Sequence, residues 1–124
     1  MVEILSTDAA RLLASLGMLG LSRGAFQQAE TVFKALSLAR PDQEIGPLGE
    51  GLTLLAKGET RRAIARLRQA PPTESANLFL AMAYGQIGER DEAQDILENL
   101  LTADNPAVRQ LAGQMLTEGS GMSA

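Results

Sequence analysis

The chain has 124 residues, a formal net charge of −4, and neither cysteine nor histidine. This composition excludes thiol nucleophiles, imidazole bases, Cys/His zinc sites and disulfides. Aromatic residues make up 3% of the chain, which together with the acidic charge argues against nucleic-acid binding. We expect no catalytic residue, no metal and no cofactor, and a function that rests on shape and apolar surface.

The sequence shows no basic, apolar leader and no run of about 18 apolar residues, the length needed to span a bilayer. We therefore expect a cytoplasmic protein that does not interact with a membrane.

Apolar residues at helical spacing predict seven helices. Ser6 or Thr7 is expected to cap the first helix, Thr60 the fourth and Asn105 the seventh. A tail, 119–124, is expected to be disordered. The predicted helices cover about 7–23, 25–39, 47–57, 61–69, 74–87, 91–101 and 106–117.

One spacing of small and bulky residues occurs three times in the chain. A small residue is followed by glycine seven positions on, by alanine five further on and by a bulky apolar residue four further on. This is typical of an antiparallel helix pair, in which the glycine adopts a positive φ at the turn. The sets are Gly17, Gly24, Ala29 and Phe33; Gly51, Gly58, Ala63 and Leu67; and Ala81, Gly88, Ala93 and Leu97.

With Leu16 before Gly17, Phe33 four residues after Ala29, and Pro41, this pattern resembles the tetratricopeptide repeat. The leading tryptophan is missing, and Glu50 stands where the family usually has leucine. The resemblance implies an all-α solenoid of three helix pairs with a capping helix. The implied boundaries are repeats at about 10–43, 44–73 and 74–105 and a cap at 106–117, within a single domain 1–118.

In tetratricopeptide proteins the first helix of each pair lines a concave groove. The resemblance therefore implies a set of groove residues in this chain, all of them apolar and suited to the apolar face of an amphipathic helix. Leucine and methionine at helical spacing are equally compatible with a core position. The groove residues are Ala14, Met18, Leu21, Leu48, Leu52, Leu55, Leu78 and Met82.

The fourth predicted helix is basic and the sixth is acidic. Arg61, Arg62 and Arg66 form a possible second contact site for an acidic partner. More often such charges are solvated and contribute little. Asp91 and Asp95 lie one helical turn apart, as a catalytic pair of carboxylates would. No nucleophile or base accompanies them, so we expect them to be solvated as well.

The length, the segment 77–85 and the apolar groove also resemble the larger cytoplasmic chaperone of the type III secretion needle subunit. This resemblance implies a non-enzymatic chaperone that binds an amphipathic helix of a needle-type subunit, together with a small helical co-chaperone. The alternative is a tetratricopeptide scaffold or assembly protein that self-associates through the same groove.

Overall fold

The computed structural model describes residues 6–122, with side chains described as far as residue 118. Within that range the chain forms seven α-helices and no strand. They are α1 (Thr7–Ser22), α2 (Phe26–Ala39), α3 (Ile45–Ala56), α4 (Thr60–Gln69), α5 (Glu74–Gln86), α6 (Arg90–Leu100) and α7 (Pro106–Met122). All seven predicted helices are present, each with bounds close to those expected except at the end of α7.

The chain divides into two compact units. The first ends at Pro71 and contains α1–α4, and the second begins at Pro72 and contains α5–α7. The boundary falls at two consecutive prolines, which cannot continue a helix. The prediction of a single domain 1–118 is not tested by this division and stays a prediction.

The three predicted turn glycines have positive φ: 75° at Gly24, 81° at Gly58 and 82° at Gly88. In each turn the residue after the glycine donates its N–H back across the helix end. Ala25 donates to the Gly20 carbonyl at 2.8 Å, and the equivalent bonds of the other two turns are both 2.9 Å. This is the Schellman arrangement, so the sequence pattern correctly located the three helix reversals.

Each small residue of the repeat makes room for a bulky residue sixteen positions later. A Cβ placed on Gly17 would lie 2.7 Å from Cζ of Phe33, and one on Gly51 would lie 2.6 Å from Cδ2 of Leu67. In the second unit, Ala81 is buried in the same cluster as Leu97. The two helices of a pair can therefore approach closely because one of them lacks side-chain volume at the crossing.

In the first unit, α3 also packs tightly on α2. A Cβ on Gly49 would lie 2.0 Å from the Phe33 ring, and one on Gly46 would lie 2.5 Å from the Ser37 nitrogen. Helix α3 begins at Ile45, two residues earlier than expected. Pro47 falls in its first turn, where the missing N–H has no helical partner to lose.

A buried polar cluster joins three helices of the first unit. The Glu50 carboxylate of α3 is buried and accepts hydrogen bonds from Arg66 Nε of α4 and, at 3.2 Å, from Ser37 Oγ of α2. Arg66 also donates to Ser37 Oγ at 3.3 Å. The departure from the tetratricopeptide pattern at Glu50 is thus compensated by a polar partner on each neighbouring helix.

The second unit has its own core, in which α7 packs on α5 and α6. The core residues are Leu78, Ala81, Leu97, Leu100, Ala103, Val108 and Ala112. The Glu74 carboxylate at the start of α5 accepts the backbone N–H groups of Asp104 at 2.7 Å and Asn105 at 3.1 Å. This contact fixes the loop between α6 and α7 to the beginning of α5.

Two of the predicted helix ends are corrected. Helix α4 begins at Thr60 itself, and Glu59 is its N-cap without a side-chain cap bond; Thr60 is therefore not the cap. Helix α7 continues to Met122 instead of ending at residue 117, so most of the expected tail 119–124 is helical. Residues 123–124 lie outside the described part of the chain.

The predicted caps Ser6 and Asn105 are confirmed. Ser6 Oγ accepts the Ala9 N–H at 3.2 Å, and Asn105 Oδ1 accepts the Ala107 N–H at 2.9 Å.

Candidate binding surfaces

The groove residues predicted from the repeat lie on the first helix of each pair, and several of them are open. Met18 on α1 is 44% exposed and Met82 on α5 is 36% exposed. Leu52, at the equivalent position of α3, is partly exposed. These three residues occupy the same place in successive repeats. Each helix therefore presents an apolar side chain that its own unit does not cover.

The residues three or four positions away are less open. Ala14, Leu21 and Leu55 are partly buried. Leu48 and Leu78 are buried, and their place in the groove stays a prediction. Leu78 belongs to the core under α6 and α7.

The arginines of α4 are not equally available to an acidic partner. Arg66 is bound within the first unit to Glu50 and Ser37. Arg62 donates to Glu59 at 2.6 Å; this hydrogen bond, ahead of one from Lys57, lowers the pKa of the Glu59 carboxyl. Arg61 is exposed. A contact through all three arginines would require existing ion pairs to open, and the second site stays a prediction.

The sequence reasoning missed a surface on the other side of α1. Leu16, which precedes Gly17 in the repeat pattern, is 49% exposed. Leu12 and Leu19, on the same face, are 62% and 46% exposed. We call these three leucines the outer face of α1. The alignment of the repeats could have indicated this surface, because the face of α3 that aligns with it packs on α2 of the preceding helix pair.

No group of three or more acidic residues within the described part of the chain is placed to hold a metal ion. Asp91 and Asp95 are exposed on α6. In the same residues, no helix is both long and apolar enough to span a membrane.

Residues 76–107 match the sequence model of the tetratricopeptide repeat. This match covers all but the first two residues of the third predicted repeat, including the turn at Gly88. No curated protein sequence matches the chain.

Several solved structures share the fold. The type III secretion translocator chaperone SycD of Yersinia enterocolitica aligns with a TM-score of 0.79 at 24% identity, over 91% of this chain and 89% of that one. PcrH of Pseudomonas aeruginosa, in complex with the chaperone binding region of PopD, aligns with a TM-score of 0.78 at 22% identity, over 100% of both chains. A heterotrimeric complex that regulates type III secretion needle formation contains a chain that aligns with a TM-score of 0.79 at 21% identity, over 91% of this chain and 98% of that one.

These comparisons confirm the predicted fold class, an all-α arrangement of three tetratricopeptide-like helix pairs followed by a seventh helix. The resemblance to type III secretion chaperones, first drawn from the residues, also holds at the level of the fold.

Proposed function

We propose that the chain is a type III secretion chaperone that binds an amphipathic helix of a needle-type subunit. The observation that carries this proposal is the repeated open position on α1, α3 and α5, occupied by Met18, Leu52 and Met82. Apolar side chains that recur at one place of a repeat and remain uncovered are suited to the apolar stripe of a partner helix. Methionine adapts its shape to such a partner readily.

The structural neighbours support a protein as the partner. PcrH is solved with the chaperone binding region of PopD, and another neighbour belongs to a complex that regulates needle formation. In the first of these, the partner is a segment of another protein. For this chain we propose a needle-type subunit as the cargo, and a small helical co-chaperone as a further component of the complex.

The test is co-expression of the chain with the needle-type subunit encoded by the same genome, followed by size-exclusion chromatography and light scattering. Met18→Glu and Leu52→Glu should each weaken the complex by about tenfold or more, because the partner would have to desolvate a carboxylate. Helicity measured by circular dichroism should stay close to that of the wild type. Leu38→Glu is the matched control, since Leu38 is 83% exposed on the second helix of its pair and should leave binding unchanged.

Two outcomes would contradict the proposal in different ways. If Leu52→Glu lowers helicity as much as it lowers binding, Leu52 is a core residue and the groove assignment fails. If a translocator segment forms the complex and the needle-type subunit does not, helix binding stands and the identity of the cargo is wrong.

A further inference from the structure

The exposed surface of α4 carries three arginines and no acidic side chain. Its exposed residues are Arg61, Arg62, Ala65, Arg68 and Gln69. Arg61, Ala65 and Arg68 follow one another at intervals of four and three residues, so they share one side of the helix. We call these three residues the basic face of α4.

The two arginines of the basic face are available to a partner. Arg61 and Arg68 are exposed, and within the described residues neither side chain forms an ion pair or a hydrogen bond. In this they differ from Arg62 and Arg66, which are both bound to glutamates of the same unit. The basic face therefore presents two guanidinium groups whose acceptors are not supplied by the described part of the chain.

The packing of the repeat does not account for these charges. A shift of 30 residues places Asp91, Asp95 and Glu98 of α6 on the three positions of the basic face. All three acids are exposed as well. The same positions of a second helix thus accept either sign of charge, and the fold alone does not select arginine for α4.

Arg61 also opposes the dipole of its own helix. It is the second residue of α4, which has no acidic residue in its first turn, and a cation near the positive N-terminal end of a helix is unfavourable. The equivalent Asp91 has the favourable sign in the first turn of α6. A residue that contradicts a local rule without a gain inside the fold is typical of a functional surface. Arg61 therefore indicates a contact with another molecule.

The spacing of the two arginines defines the chemistry of that molecule. Arg61 and Arg68 lie two helical turns apart, about 10 Å along the axis, and the small side chain of Ala65 between them lets another helix approach. A guanidinium group binds a carboxylate through two parallel N–H···O bonds. An acidic helix with carboxylates two turns apart is complementary to this face. Nucleic acid fits less well, because the chain carries a net charge of −4 and repels a phosphate backbone.

We propose that the basic face of α4 binds an acidic helical segment of a protein partner. Arg61 and Arg68 each pair with one carboxylate, and Ala65 packs against the segment between them. Of the three arginines that the sequence predicted as a second contact site, only Arg61 belongs to this face. The residues proposed to bind cargo lie on the first helices of the pairs, so the basic face does not depend on the proposed chaperone function.

Fluorescence anisotropy with a labelled acidic peptide tests the face. The probe is an alanine-rich helical peptide of about 20 residues with glutamates seven positions apart on one side, and a control peptide has the same glutamates spread around the helix. The full chain should bind the probe at low salt with a Kd of about 100 μM and the control peptide about tenfold more weakly. Absence of binding, or equal affinity for the two peptides, would overturn the proposal.

Charge reversal locates the binding site on the chain. The double variant Arg61→Glu/Arg68→Glu should weaken binding of the probe by about tenfold or more, because two attractive pairs become repulsive. Arg11→Glu/Arg23→Glu is the matched control, since it makes the same change of net charge at two exposed arginines outside α4. It should leave most of the affinity, and circular dichroism should show both variants folded. An equal loss in the two variants would overturn the assignment to α4.

Two further measurements separate this contact from general attraction between charges. Ala65→Leu keeps every charge, yet it should weaken binding of the probe by about fivefold, because it fills the space between the arginines. A DNA duplex of about 20 base pairs should bind more weakly than the probe. Unchanged affinity of Ala65→Leu would overturn the contact at the centre of the face, and tighter binding of the duplex would assign the face to nucleic acid instead.

The basic face and the cargo proposal fail separately. Met18→Glu should lose the cargo and keep the acidic probe, whereas Arg61→Glu/Arg68→Glu should lose the probe and keep the cargo. If either variant loses both, the two surfaces are not distinct and the assignment of the basic face is overturned.

Discussion

Phe33 is fully buried and lies against glycines on two other helices of its unit, Gly17 on α1 and Gly49 on α3. The contact with Gly49 is the tighter one, since an added Cβ would lie 2.0 Å from the ring. We therefore expect Gly49→Ala to lower the free energy of unfolding by about 3 kcal/mol, because the ring has no room to move in a packed core. Urea denaturation followed by circular dichroism measures this loss.

Gly85→Ala is the matched control, because no heavy atom beyond its chain neighbours and its own helix backbone lies within 4 Å of the position where its Cβ would be. Gly85 lies in α5, so alanine should raise stability by about 0.5–1 kcal/mol through its higher helix propensity. A Gly49→Ala variant as stable as Gly85→Ala would show that α2 and α3 do not pack as closely as described.

The buried Glu50 cluster allows a second prediction. Glu50→Leu restores the residue that tetratricopeptide repeats usually carry, yet it should destabilise the protein by about 2 kcal/mol, because Arg66 and Ser37 lose their acceptor. The loss is limited because the Arg66 side chain is 26% exposed and water partly replaces the carboxylate.

The double variant Glu50→Leu/Arg66→Leu should recover most of the stability in the same urea titration, since it replaces both charges by apolar groups. If it is no more stable than Glu50→Leu, the arginine is not the source of the loss.

The helix pairs depend on a small residue in the second helix as well as in the first. Ala63 on α4 is completely buried, and Ala65 on the same helix is exposed. Ala63→Leu should lower the free energy of unfolding by about 3 kcal/mol, because the extra atoms have no space. The melting temperature should fall with it. Ala65→Leu should change it little. Thermal melts of the two variants place the same substitution on the buried and on the exposed face of one helix. Equal melting temperatures would contradict the assigned packing.

The turns and the crossings of the helices were predictable because a single residue type determines each of them. A positive φ selects glycine at positions 24, 58 and 88, and a close crossing excludes large side chains at residues 17 and 51. Both constraints can be recognised in a single sequence. The helix bounds predicted with their help differ from the observed ones by a few residues.

Exposure was harder to predict, because it depends on what covers a helix face. Leu16 and Leu48 both follow the apolar helical period, but Leu16 is 49% exposed and Leu48 is buried. Hydropathy assigns the two the same role. The contacts made by each face in the folded chain separate them, and those contacts are not written in the apolar spacing.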